Sequence, residues 1–247
     1  MEEKAQAKPT LSPEQFSLVR NEMMTLTREA LLRLSSQQTD VDSACNYPLS
    51  VGIQEFRTMY NRLGLARRIV EIWPDECWQV QPEVYEEEEE HLTEFEKTWL
   101  DLQFKHSLFS WMYRVDVLSG IGSFGILLLG LDDGKPLYEP VQGIDEHTGE
   151  MTKSERDTNL LFVRAFDESV VTVDSLEDDI TSPRYGKPKT YTILFAEPGH
   201  TQTKALRTKI HWTRVVHIAD NRECSEIYGT SRLQAVYNNL LDIKKVS

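Results

Sequence analysis

The feature that most constrains this chain is a change of hydrophobic period at Gly120. Upstream, Leu92, Phe95, Trp99, Leu102, His106, Phe109 and Tyr113 step 3,4,3,4,3,4, which draws one stripe down an α-helix. Downstream, Phe124 to Leu131 is a short apolar run closed by Asp132-Asp133-Gly134, the pattern of a buried strand and its turn. A chain that is helical first and short-stranded afterwards, without strands and helices alternating, predicts an α+β fold. Its layout is N-terminal helices, a short-stranded mixed or antiparallel sheet, and a further helix.

The other elements follow the same rules. Ile53, Phe56, Tyr60, Leu63, Ala66, Val70 and Trp73 predict one helix, with Arg57, Arg62, Arg67 and Arg68 mainly outside its stripe and Pro74 ending it. Before it, residues 1–50 read as a leading arm. That arm carries one amphipathic helix from Pro13 to Leu34, with Ser12 as N-cap and Phe16, Val19, Met23, Leu26 and Ala30 on one face. Asp40 to Ser50 reads as loop, and residues 51–247 as the core.

Glu83, Glu86 to Glu90, Glu94 and Glu96 read as a solvated acidic lead-in, placed where carboxylates favour a helix start. His106, on the apolar stripe, reads as a core histidine with a satisfied partner. After Gly120, strands are predicted in Leu160 to Val173 (two, broken near Asp167-Glu168), Thr190 to Phe195, and Lys209 to Ala219. A helix is predicted in Thr230 to Val246. No repeat of 20–50 residues is visible, which excludes solenoids and propellers.

Charge narrows the class. Lys+Arg number 27 against Asp+Glu 40, a formal charge of -13. Coating nucleic acid needs clustered cations, so that role is excluded; a passage through which nucleic acid moves is not. No apolar run approaches the ~20 residues of a membrane span, and the opening residues form no secretory signal. Cys45, Cys77 and Cys224 lie far apart, which fits a reducing setting and no zinc ribbon.

Motifs for chemistry are incomplete. Gly120-Ile121-Gly122-Ser123-Phe124-Gly125 matches G-x-G-x-x-G, but here a helix precedes and a strand follows, the reverse of a dinucleotide site. His211-Trp212-Thr213 matches one half of a 2H phosphoesterase site, and His147, His200 and His217 all lack the Thr or Ser of a second half. His211 and His217, six apart on one expected strand, would lie ~20 Å apart on the same face and could share no metal. Glu177-Asp178-Asp179 reads as a solvated loop. No catalytic residue, cofactor or metal site is expected.

Read in order, the second half resembles the portal proteins of tailed bacteriophages. The pieces are Ser182-Pro183-Arg184-Tyr185-Gly186-Lys187-Pro188-Lys189-Thr190-Tyr191, then Ile210-His211-Trp212-Thr213-Arg214-Val215-Val216-His217, then Ile227-Tyr228-Gly229-Thr230-Ser231-Arg232-Leu233. Portals of this sort show a "sp-yG-P-Y" loop, an "iH-SRv" strand and a "G-S-l" helix start, with Thr213 standing here where Ser is common. Tyr60 to Trp73 and Gly120 to Leu131 resemble earlier parts, so the likeness covers roughly residues 50 to 247. A branch of the family also forms the N-terminal part of proteins with a separate anti-CBASS phosphodiesterase domain.

The resemblance implies a wing-like structural subunit with Pro183, Tyr185, Gly186, Pro188, His211, Arg214, Gly229 and Ser231 as structural positions. It implies a homo-oligomeric ring, commonly of twelve, at one capsid vertex. Double-stranded DNA would pass through the ring, with terminase, capsid and head-tail connector proteins as partners and no membrane. The location would be the virion, and the host cytoplasm during assembly. The family's stem and clip segments come later than Ser247, so the chain is expected to be a fragment or a natural truncation. From another class, His211 as a cyclic-nucleotide phosphodiesterase centre stands as the alternative.

Overall fold

The computed structural model of the chain describes residues 41–86, 92–152, 158–195 and 206–246. Two compact units divide it, Met1–Ser50 and Val51–Ser247. The described part of the first is one helical turn, Val41–Ala44, and a loop in which Tyr47 N–H donates to Asp42 O (2.8 Å). The helix expected at Pro13 to Leu34 lies outside the described residues, as do Glu87 to Glu90 of the acidic run.

The second unit is α+β. Its helices are α1 (Ile53–Arg62), α2 (Gly64–Cys77), α3 (Glu94–His106), α4 (Leu108–Ile121) and α5 (Tyr237–Val246). Its strands are β1 (Gly125–Leu131), β2 (Leu160–Asp167), β3 (Val171–Leu176), β4 (Pro188–Phe195), β5 (Leu206–His211) and β6 (Val215–Ile218). The strands divide over two antiparallel sheets, ordered β2-β1-β6 and β3-β4-β5.

Several boundaries differ from the sequence expectations. The single helix expected over Ile53 to Trp73 is broken at Leu63, which is extended (φ -116, ψ 114) ahead of Gly64. Pro74 does not end α2, which runs on to Cys77. The stripe from Leu92 to Tyr113 is cut at Ser107, whose left-handed backbone (φ 51, ψ 46) separates α3 from α4. Lys209 to Ala219 is not one strand, because a 3₁₀ turn at Trp212–Arg214 carries the chain from β5 in one sheet to β6 in the other. The last helix begins late, after a 3₁₀ turn at Gln234–Val236.

Burial explains the architecture. On β1, Ile126 and Leu128 enter a core shared with Phe124, Val171, Tyr191, Ile193 and Ile210, between the two sheets. Leu127 points the other way, into a core with Leu108 and Val115 of α4 and Val163 and Ala165 of β2. Because β1 is covered on both faces, it reads as an uninterrupted apolar run. A third core joins α1, α2, α4 and α5 through Phe56, Met59, Ala66, Val70, Val117, Ile121, Leu233, Tyr237 and Leu240.

The layers are therefore sheet, sheet, helices. Between α3, α4 and the outer face of the first sheet lies a cleft of about 870 Å³, lined by Trp99, Leu102, Met112, Leu129, Leu160 and Val216 among others. Among the described residues, no helix is long and apolar enough to cross a membrane.

Two carboxylates expected in solvent are buried. Glu96 closes a capping box with Thr93: its Oε2 accepts from Thr93 N–H (3.0 Å) while Thr93 Oγ1 accepts from Glu96 N–H (3.2 Å). Its Oε1 accepts from Glu86 N–H (2.9 Å). Glu177 is likewise buried, with Oε2 3.3 Å from Lys189 Nζ. The satisfied partner expected for His106 is not found at Nε2, which is buried without a hydrogen-bond partner among the described residues.

Candidate functional site

The residues singled out from the sequence collect into two seams that hold the layers together. The first surrounds the 3₁₀ turn between β5 and β6. His211 ends β5 and caps the turn. Its Nδ1 receives Thr213 N–H (3.4 Å) and lies 3.0 Å from the Thr213 hydroxyl, which itself accepts from Val141 N–H (3.0 Å). Nδ1 is thus an acceptor and Nε2 carries the proton. Nε2 faces Glu146 Oε1 at 3.5 Å. Burial pushes the His211 pKa below the usual histidine range, the Glu146 carboxylate opposes that, and Lys189 and Arg184 reinforce it.

Arg214 is wholly buried. Its Nη2 donates to Asp133 Oδ2 (2.6 Å), a carboxylate with no exposed side-chain surface, and its Nε donates to Glu139 O (3.1 Å). Burial alone would raise the Asp133 pKa. The Arg214 hydrogen bond and Lys135 N–H outweigh it, so the carboxyl sits below its ordinary range. Together with His211 N–H to Leu137 O (2.9 Å), these bonds pin the connection between β1 and β2 onto the turn.

The loop before β4 closes the same seam. Gly186 has φ 76, open to glycine without a Cβ penalty, and its N–H donates to Glu177 O (2.9 Å). Pro188 is buried and starts β4, and its carbonyl accepts from Arg184 Nη2 (3.0 Å). The Arg184 guanidinium lies over the Trp212 ring, 3.3 Å from its centroid. Pro183 and Tyr185 are exposed, with Tyr185 N–H bonded to Ser182 O (3.0 Å).

The second seam joins two motifs that look unrelated in sequence. At the C-terminus of α4 the last carbonyls have no helical partners. Arg232 N–H supplies Gly120 O (2.9 Å) and Ser231 Oγ supplies Ile121 O (2.8 Å). Ser231 Oγ also accepts from Leu233 N–H (3.2 Å), which starts the turn before α5. Gly229 N–H donates to Ser123 O (2.7 Å), and a Cβ on Gly229 would lie 1.7 Å from Asp220 O. The glycine-rich run is a socket of close approaches, because a Cβ on Gly120 would stand 2.9 Å from Arg232 Cδ.

Arg232 is the residue that sequence reasoning missed. Its guanidinium reaches Asp220 Oδ2 through Nε (2.6 Å), Val70 O through Nη1 (2.8 Å) and Asp116 Oδ1 through Nη2 (2.8 Å). Asp116 also accepts from Trp78 Nε1 (3.0 Å). The available signal was Pro74, whose missing N–H leaves Val70 O in need of a donor. Elsewhere Arg57 pairs with the buried Asp167, and Glu168 accepts from Ser123 N–H (3.0 Å).

The histidines are not a pair. His217 lies in the other sheet from His211, stacked on Phe124 with ring centroids 4.9 Å apart. Its Nε2 donates to Ile227 O (2.7 Å) and its Nδ1 lies 3.3 Å from the Tyr191 hydroxyl. Among the described residues, no group of three or more His, Cys, Asp or Glu could hold a metal ion. The hydrogen bonds of both seams run between side chains and to backbone groups of separate segments, an arrangement for holding segments in place, although Arg214 Nη1 and Trp212 Nε1 are buried with no hydrogen-bond partner among the described residues.

A family model described as phage portal protein matches residues 54–247. A search of curated proteins finds no match. The match takes in both seams and, apart from Ile53, the described helices and strands of the second unit, and with it the chain belongs to the phage portal proteins, a structural family of the virion.

Proposed function

We propose that the chain is a subunit of a portal ring of twelve copies at one capsid vertex, through which double-stranded DNA is packaged and ejected. Residues 51–247 form its wing-like core and residues 1–50 its leading arm. The ring segment is passive, and a terminase supplies the ATP chemistry. Capsid and head-tail connector proteins are its other partners, with assembly in the host cytoplasm. Family membership carries this reading. The site geometry supports it: His211, Arg214, Gly186, Pro188, Gly229 and Ser231 all serve seams between segments. The formal charge of -13 fits a wall that DNA moves past and does not stick to.

His211 acts here as a turn cap. Its buried ring and occupied Nδ1 do not favour a phosphodiesterase centre. Mass measurement and negative-stain microscopy of the purified protein, with and without capsid partners, test the proposal. Closed rings support it. A strict monomer at every concentration, or cyclic-oligonucleotide hydrolysis abolished by His211→Ala, would sink it.

A further inference from the structure

We propose that Ser107 is a hinge and that α3 is a two-position arm: folded back as observed, or continuous with α4 as one helix. This inference is independent of the ring reading.

Of the boundaries where sequence and structure disagree, Ser107 is the one that interrupts a continuous helical stripe on a left-handed non-glycine residue. The 3,4 stripe runs through residue 107 without a glycine or proline to interrupt it. The chain nevertheless turns there, on a serine in the left-handed region (φ 51, ψ 46) whose side chain makes no capping hydrogen bond to α4. Left-handed backbone suits glycine and is unfavourable for serine. At the break Ser110 N–H bonds to Ser107 O (3.0 Å) in place of His106 O, so helical continuity is given up as well.

What holds α3 back is incomplete. Glu96 and Gln103 bond to the segment before the helix, through Glu86 N–H (2.9 Å) and Gln81 Oε1 (2.9 Å), but Trp99 and Leu102, which line the cleft over the first sheet, are only half-buried. Three buried polar atoms in and beside this region have no hydrogen-bond partner among the described residues: Trp99 Nε1, His106 Nε2 and Thr158 Oγ1. On the far side of the helix Phe104 is 92% exposed and Leu100 47%. The apolar contacts of α3 are therefore only partly made where it lies.

Straightening the hinge would give one helix from Glu94 to Ile121, ~42 Å long at 1.5 Å per residue. It would place Phe95, Trp99, Leu102 and His106 in line with Phe109 and Tyr113. In α4 that face looks onto α2, with Phe109 beside Trp78 and Tyr113 hydroxyl bonded to Asp75 Oδ1 (2.9 Å). It would also uncover Leu127, Leu129 and Val163 on the first sheet.

The test is a distance measurement. Cys45, Cys77 and Cys224 are replaced by serine, spin labels are attached at Lys97→Cys on α3 and Arg164→Cys on β2, and distance distributions are recorded by pulsed electron paramagnetic resonance. Ser107→Gly relieves the left-handed residue and weakens the straight helix, whereas Ser107→Ala does the reverse. The ratio of long to short distances is expected to differ between the two by about 5–30-fold, the factor that one to two kcal/mol provides. Amide exchange at Leu108, Phe109 and Ser110 should slow in Ser107→Ala, which reads the hinge without labels. Equal distance distributions, or exchange at these amides that tracks only global unfolding, would overturn the proposal.

Discussion

Arg232 Nη1 donates to Val70 O, the carbonyl that Pro74 leaves without a helical partner (2.8 Å). A defect inside α2 is thus repaired by a side chain 162 residues further along. The same guanidinium ties Asp116 of α4 and Asp220 of the loop after β6 into one junction. Three separate segments are tied to the turn before α5 by it.

Arg232→Ala is expected to destabilise the fold by about 2–4 kcal/mol, because it leaves the buried Val70 carbonyl without its side-chain donor and removes the cation that Asp116 and Asp220 share. Pro74→Ala restores the N–H that Val70 O lacks. In a double-mutant cycle read by urea unfolding, Arg232→Ala should cost about 1 kcal/mol less on the Pro74→Ala background. Strict additivity would show that the two defects are not coupled.

The glycines should rank by what their Cβ meets. Gly229→Ala drives an atom to 1.7 Å from the Asp220 carbonyl, which is backbone and cannot step aside. Gly120→Ala meets the Arg232 side chain at 2.9 Å and displaces the clamp. Gly186→Ala meets nothing within 4 Å, but must hold φ 76. Losses of stability of about 3 kcal/mol or more, about 1–3 and about 1 are expected in that order, measured as unfolding midpoints.

The Arg214–Asp133 pair has no exposed side-chain surface. Asp133→Ala alone should cost about 3–5 kcal/mol, because it strands a buried guanidinium. The double replacement Asp133→Leu with Arg214→Met should recover most of that loss. Chemical denaturation of the three variants separates the outcomes, and a double variant no better than the single would point to a structural need for the pair.

Acid should weaken the fold through two histidines. Burial lowers the pKa of both His211 and His217. Below the ordinary histidine value the unfolded chain therefore binds protons that the folded chain does not. Stability is fully present above about pH 6.5 and falls as pH drops from there toward the lowered folded values. Unfolding midpoints between pH 8 and pH 5 check the sign. His217→Gln should flatten the slope, while an unchanged slope in both single glutamine variants would assign it to other groups.

Local pattern carried the element types. The periodic runs through Phe56 and Val70 and through Trp99 and Phe109 declared helices, and the apolar run from Phe124 to Leu131 declared a buried strand. The reversed order of helix and strand around Gly120 already excluded a nucleotide site. These features depend on neighbours three or four residues away, or two, and a sequence displays them directly.

Tertiary structure alone decided how the segments are joined. The strand expected over Lys209 to Ala219 has good local pattern, yet Arg214 turns inward to Asp133 and the chain changes sheets there. Glu177 reads as solvent-facing beside Asp178 and Asp179, but Lys189 of β4 covers it. Nothing near Gly120 announces Arg232, and nothing near Arg232 announces Pro74. A buried donor and its acceptor are matched by where the fold brings them, and only folding decides which distant pair meets.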